Sequence, residues 1–268
     1  MKNLKYITVK IDRNRADLIL NRPDKHNALN PELIGEFRDA LKSISQKSEI
    51  HFLVISGNGK SFCAGADISW LASAGEKSIQ ENREEYLQIP ALLNELRDAP
   101  QITIAAVHGN VLGGANGIIS ACDFVIAEQS TAFAFGEIRL GIIPATIIPF
   151  VAQRLSVQHM KKVMYTGSRF LAPEAKNSGL VDFISADGER FSETDLLIKK
   201  MSTSSPNALR ACKNLLHKIE SGKVTTSSSE KTAQLLAQLT HSEEGKEGLQ
   251  AFLEKRKPSW NNQITNQD

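Results

Sequence analysis

Apolar and polar positions along the chain change period several times, and each change predicts an element. Alternation from Tyr6 to Ile11 and from Ala16 to Leu20 predicts two paired strands joined by the polar turn Asp12-Arg13-Asn14-Arg15. The polar loop Asn21-Arg22-Pro23-Asp24-Lys25-His26-Asn27 follows. Asn30-Pro31-Glu32 then reads as a helix start, with Asn30 as N-cap and Pro31 in the first turn. Leu33, Ile34, Phe37, Leu41 and Ile44 give that helix one apolar face. His51 to Ser56 predicts a strand; the polar stretch 71–85 reads as a surface loop, with a mobile flap as the alternative. A helix through Leu87, Leu92, Leu93 and Leu96 stops at Pro100, and Ile102 to Val107 and Phe124 to Ala127 predict further strands around an apolar helix, Ile118 to Ala121. Strands and helices at short intervals predict an α/β architecture.

Beyond about Met201 the pattern becomes helical only. Residues 206–220, 230–240 and 245–257 read as helices, with polar joints at Ser221 to Ser229 and His241 to Glu244. Leu249, Phe252 and Leu253 share one face of the last. The expected organisation is therefore a core over residues 1–200 and a helical region over 201–268.

Two segments stand out as candidate chemistry. One is Ser61-Phe62-Cys63-Ala64-Gly65-Ala66-Asp67-Ile68; the other is His108-Gly109-Asn110-Val111-Leu112-Gly113-Gly114-Ala115-Asn116-Gly117. Each follows a β-like apolar run and enters a helix-like stretch. Helix starts leave backbone N–H groups unpaired, and small residues there let a ligand approach the main chain. Two such starts aimed at one point would form an oxyanion hole. The glycines of the second segment are not spaced as a dinucleotide fingerprint. Glu137, twenty residues after Gly117, precedes a stretch that does not read as a second dinucleotide-fold strand.

Composition narrows the classes. With 268 residues and 41% hydrophobic content the chain can bury a substantial core. A net charge of +2, mixed along the chain, argues against nucleic acid. Cys63, Cys122 and Cys212 form neither a C-x-x-C pair nor a zinc pattern, and Cys63 has no base among its sequence neighbours to make it a nucleophile. No metal site is expected. No apolar run reaches the length of a membrane span, and no leader pattern is evident, so a cytoplasmic protein is expected.

With these motifs in place, the chain resembles the enoyl-CoA hydratase/isomerase (crotonase) superfamily, from Asn21-Arg22-Pro23 to Phe252-Leu253-Glu254-Lys255-Arg256-Lys257. The resemblance implies a spiral of ββα units with a C-terminal helical trimerisation region, assembled as a homotrimer or homohexamer. It implies an acyl-CoA thioester as substrate and no cofactor beyond that CoA. The oxyanion donors would be the N–H groups of Ala66 and Gly114, and Glu137 the catalytic acid–base. Ala64, Asp67 and Ile68 would lie in the adenine and pantetheine pocket, with Lys25 and Lys255 as partners of the CoA phosphates.

The chain departs from this family twice. Hydratases there commonly use two glutamates, but Gly117 stands at the first position and only Glu137 remains. The family's P-G-x-G-G-T segment is here Pro144-Ala145-Thr146-Ile147-Ile148-Pro149. The pattern Gly113-Gly114-Ala115-x-Gly117, together with the run from Glu137 to Ala145, is similar to bacterial 3-methylglutaconyl-CoA hydratases of leucine breakdown. On that likeness Gly117 would make room for the substrate's distal carboxylate. Arg139 would pair with it if residues 137–141 are extended, or otherwise with Asp123 or another acid. Asn116 is expected to be a packed polar side chain. A Δ3,Δ2-enoyl-CoA isomerase with Glu137 as sole base is the second reading. A catalytically degenerate CoA-binding or RNA-binding protein is the third.

Overall fold

The computed structural model describes residues 4–263. The first hairpin forms as the alternation predicts. Strands β1 (Ile7–Asp12) and β2 (Arg15–Leu20) pair antiparallel, and Ala16, Leu18 and Leu20 turn into the core. The turn is shorter than expected because Arg13 takes a left-handed φ of 52°. Helix α1 (Pro31–Ser45) starts where Asn30 accepts a hydrogen bond from Leu33 N at 2.9 Å, and it buries Leu33, Ile34, Phe37, Leu41 and Ile44. Strand β3 (Phe52–Gly57) is buried along its whole length.

The stretch expected as a loop is helical. It holds α2 (Ile68–Ser73), a 3₁₀ turn at Ala74–Glu76 and α3 (Ile79–Tyr86). A capping box explains α3: the Ser78 side chain accepts from Glu81 N while the Glu81 carboxylate accepts from Ser78 N. Helix α4 (Gln88–Arg97) buries Leu92, Leu93 and Leu96. Strand β4 (Ile102–Val107), the short strand β5 (Asn110–Leu112), helix α5 (Gly114–Ser120), strand β6 (Phe124–Glu128) and strand β7 (Ala132–Ala134) follow. Residues Glu137–Leu140 form a 3₁₀ turn, so the condition of an extended 137–141 segment is not met. After it come α6 (Ile148–Val151), α7 (Val157–Thr166), β8 (Phe170–Leu171), α8 (Ala172–Ser178) and β9 (Phe183–Ser185).

Strands β1, β2, β3, β4, β6 and β9 make one sheet in that order, parallel from β2 onward. Strands β5, β7 and β8 make a second. The chain thus leaves the large sheet after β4 and after β6 to add a strand to the small one, the winding of a spiral. Because β3 and β4 are adjacent and parallel, both candidate motifs leave the carboxyl ends of neighbouring strands, where open parallel sheets place their ligands.

The chain divides into two compact units, Met1–Thr194 and Asp195–Asp268. The division falls inside α9 (Arg190–Met201) and not at residue 200. The second unit contains α10 (Pro206–Glu220), α11 (Ser229–His241) and α12 (Glu243–Leu253). The expected last helix ends early: residues beyond Leu253 leave it, and Lys255 has a φ of 54°. Leu249, Phe252 and Leu253 are exposed within this unit. Among the described residues no helix is long and apolar enough to cross a membrane, and no group of three or more acidic, histidine or cysteine side chains is arranged to hold a metal ion.

Candidate active site

Strand β3 ends at Gly57, where the chain turns under Asn27. Asn27 is fully buried; its Nδ2 donates to the carbonyls of Asn58 (2.9 Å), Ser61 (2.9 Å) and Phe62 (3.0 Å), and its Oδ1 accepts from Arg22 N at 2.8 Å. One amide thereby ties the loop after β2 to the first motif. Ala64 N donates to His26 O at 2.9 Å, continuing the same seam. Phe62 N donates to His108 O (2.9 Å), Cys63 N to Asn110 O (3.1 Å) and Leu112 N to Cys63 O (3.1 Å), so the two motifs run side by side.

This pairing dictates which amides are left over. Leu29 N donates to Gly65 O (2.7 Å) and Asp67 N to Leu29 O (2.8 Å), a parallel bridge that uses the residues flanking Ala66 and turns its N–H away. Gly113 N donates to Ala134 O at 2.9 Å, and Gly114 opens α5 with its N–H in the first turn. No group among the described residues accepts from the N–H of Ala66 or Gly114. Gly65 and Gly113 are in contact across the seam. Gly65 has φ +89°, and a Cβ there would meet Leu112 O at 2.7 Å and Gly113 Cα at 3.6 Å.

Glu137 begins its 3₁₀ turn just past β7, and its carboxylate lies over Gly113. A Cβ on Gly113, at φ +50°, would sit 2.8 Å from Glu137 Oε1. Glu137 Oε2 is buried without a hydrogen-bond partner. Burial raises the pKa of this carboxyl, opposed by a hydrogen bond from its own backbone N–H. A half-buried acid with raised pKa beside two uncommitted N–H donors is an arrangement that holds an oxyanion and moves a proton.

Asp67 caps α2 through Ser69 N at 2.9 Å and pairs with Arg22 Nη1 at 2.6 Å. The hydrogen bond from Arg22 is the main cause of its lowered pKa. Its carboxylate therefore pins the 22–28 loop to the first motif. Ala64 is half-buried, while Ile68 and Lys25 are exposed, Lys25 in the turn Pro23–Lys25. Lys255 belongs to the second unit and is exposed.

Three expectations fail on geometry. Gly117 does not open space: a Cβ there would meet Ile147 Cγ2 at 2.6 Å, Ile147 Cβ at 2.9 Å and Leu93 Cδ1 at 3.0 Å. In a 3₁₀ turn of three residues per turn, Arg139 does not share the face of Glu137. Nor does Arg139 pair with Asp123, which accepts from Thr103 N and Oγ1 at 2.7 and 2.9 Å. Arg139 Nη2 donates instead to Thr166 O at 3.2 Å, the favourable place for a cation at the end of α7. Asn116, as expected, is fully buried, and its Nδ2 donates to Ala134 O at 3.0 Å and Gly113 O at 3.2 Å. Burial pushes the Cys63 thiol up to about 12, which removes it as a nucleophile. Sequence reasoning gives no site role to Asn27, Leu93 or Ile147. Asn27 stands there as a polar residue amid turn formers, Leu93 on a helix face and Ile147 in the departure from the family's glycine-rich segment.

The model of the enoyl-CoA hydratase/isomerase family matches residues 11–263. The chain belongs to that family. A solved enoyl-CoA hydratase from Shewanella pealeana superposes with a TM-score of 0.91 at 31% identity over 97% of both chains. AtuE of Pseudomonas aeruginosa superposes with a TM-score of 0.91 at 33% identity over 96% of this chain and 99% of that one. The enoyl-CoA isomerase/hydratase fer4 of Mycosarcoma maydis is 31% identical over 252 residues, 90% of each chain. The fold is the crotonase fold, and the chain is an enzyme of this family.

Proposed function

We propose that this enzyme adds water across the 2,3 double bond of an enoyl-CoA thioester whose acyl chain ends in a distal carboxylate, with 3-methylglutaconyl-CoA as the leading substrate. The observation that carries the chemistry is Glu137 over Gly113, beside the free N–H groups of Ala66 and Gly114. The thioester oxygen accepts from both donors. As charge develops on it, those donors strengthen their hold without reorganising, an effect worth ~10²–10³ in rate per donor. Water gives one proton to the Glu137 carboxylate while its oxygen bonds C3. The C2=C3 π pair moves into the enolate, and Glu137 returns the same proton to C2. One carboxylate thus suffices to balance the addition. The likeness of residues 137–145 to 3-methylglutaconyl-CoA hydratases supports the substrate.

In this reading Ala64 and Ile68 flank the CoA chain, with Lys25 and Lys255 as partners for its phosphates. The second unit would assemble the enzyme as a trimer or hexamer, which its exposed Leu249, Phe252 and Leu253 support.

The second reading is Δ3,Δ2-enoyl-CoA isomerisation, with Glu137 removing a proton at C2 and returning it at C4. The single carboxylate and the apolar surroundings of Gly117 favour it, and the name of fer4 pairs both activities. Offering 3-methylglutaconyl-, crotonyl- and 3-hexenoyl-CoA separately, with product mass and absorbance recorded, decides between them. Gain of one water on the glutaconyl thioester, well above crotonyl, supports hydration. No hydration, with 3-hexenoyl-CoA converted to its 2-enoyl isomer, overturns it.

A further inference from the structure

Gly117 is glycine for a reason its backbone does not explain. It lies inside α5 and is absent from the residues of positive φ, so any side chain suits its main chain. The obstacle is Ile147, whose Cγ2 would stand 2.6 Å from a Cβ at 117, with Leu93 Cδ1 at 3.0 Å. Ile147 cannot easily yield. It is 2% exposed, its N donates to Pro144 O at 3.1 Å, and its carbonyl accepts from Phe150 N and Val151 N at 3.0 Å. Leu93 is fully buried. Gly117 is also three residues past Gly114, so the two share a face of α5, the face that begins at the oxyanion donor.

We propose that Ile147, wedged with Leu93 against Gly117, is a specificity-determining residue that excludes a second carboxylate from this face and leaves the site dependent on a polar group carried by the substrate. The proposal rests on the hydratase reading above. Water adding to C3 places two hydrogens. One goes to Glu137, whose Oε2 is buried and free to accept it. The other stays on the oxygen as the product hydroxyl; it needs only a hydrogen-bond acceptor to orient the attacking water, and the atoms nearest a Cβ at Gly117 are all hydrocarbon. The substrate's distal carboxylate, separated from C3 by one methylene, reaches water bound at C3 and supplies that acceptor without entering the O–C3 bond. The positions also complement each other: relative to the family pattern, Gly117 replaces an acid and Ile147 a glycine, and the structure puts the two in contact.

The test is the double variant Gly117→Glu/Ile147→Gly beside the wild type. Crotonyl-CoA and 3-methylglutaconyl-CoA are assayed, together with a neutral analogue whose distal carboxylate is a methyl ester. For the wild type, the ester and crotonyl-CoA are expected to fall at least ~10²-fold below the carboxylate substrate in kcat/KM, the scale of one lost proton-handling group. In the double variant crotonyl hydration is expected to rise at least ~10-fold and the preference for the carboxylate to shrink to match. Equal wild-type rates on ester and carboxylate would overturn the proposal whether or not any variant folds. So would a folded double variant that binds the thioester and hydrates crotonyl-CoA no faster. If the wild type only isomerises 3-hexenoyl-CoA, the hydratase reading fails separately. Gain of crotonyl hydration in the double variant would then still establish Ile147 as the group that excludes the second acid.

Discussion

Gly113 and Gly117 stand four residues apart around the start of α5 and are glycine for opposite reasons. At Gly113 the backbone itself is left-handed, φ +50°, and the space a Cβ would need belongs to the Glu137 carboxylate. At Gly117 the backbone is ordinary, and the space belongs to Ile147 and Leu93. One glycine admits Glu137 to the seam that holds the free N–H groups of Ala66 and Gly114; the other closes the neighbouring wall with hydrocarbon. The pair separates what this site has in common with any enolate-forming site from what is particular to this chain. It also shows that a missing acid is not by itself a vacancy, because packing has taken the room.

The largest effect should come from the polar side. Glu137→Gln keeps the shape and removes the proton carrier, and turnover is expected to fall by ~10²–10⁴, the usual share of general acid–base catalysis. In the wild type, kcat/KM should rise with pH through a limb above 4.5, the ordinary glutamate value, because burial raises the pKa of Glu137. The same shift has a stability sign. A buried acid with raised pKa costs nothing below its unfolded value and opposes folding as pH rises through the folded one. Glu137→Gln should therefore gain stability relative to wild type between pH 4 and pH 8, measured by denaturant titration at both.

Gly113→Ala should come next. It forces a side chain into the left-handed region, at ~1–2 kcal/mol, and against Glu137 Oε1 at 2.8 Å. Steady-state assays should show activity lost by ~10²-fold, out of proportion to the stability change. Gly117→Ala should reverse that proportion. Overpacking against Ile147 is expected to cost ~1–3 kcal/mol in denaturant titration, with a smaller loss of turnover in the fraction that stays folded. If both variants lose activity and stability in the same ratio, the contrast between the two glycines is wrong. The smallest effect belongs to Arg139→Met. Its guanidinium ends α7 at Thr166, so the ratio of glutaconyl to crotonyl rates should not move.

Much of this was legible in the sequence because it depends on local chemistry. Asn30 and Pro31 announce α1, the apolar runs announce β3 and β4, and the two small-residue motifs with Glu137 announce the site. Other features depend on contacts far apart in the chain. Ile147 reads as one more apolar residue until folding brings it against Gly117, thirty residues earlier. The pairing of Asp67 with Arg22, 45 residues earlier, is likewise invisible along the chain. The helix α3 was legible and overlooked: Ser78 and Glu81 spell a capping box, but the polar composition of 71–85 masked it. Ile138, Leu140 and Ile142 alternate with Arg139 and Gly141, a spacing that leaves an extended backbone open. The 3₁₀ turn wins because Gly141 takes φ +75° and closes it, with Ile142 N donating back to Glu137 O at 3.2 Å.

On the proposed reading, Glu137 and the N–H groups of Ala66 and Gly114 make and protonate a thioester enolate, whichever product follows. Exchange of the α-hydrogens of a saturated acyl-CoA in D₂O reads that step alone, by mass or proton NMR, with no double bond to hydrate or move. The account predicts deuterium at C2 with the wild type and none above background with Glu137→Gln. Exchange that survives the substitution, or wild-type enzyme that binds the thioester and exchanges nothing, would contradict it.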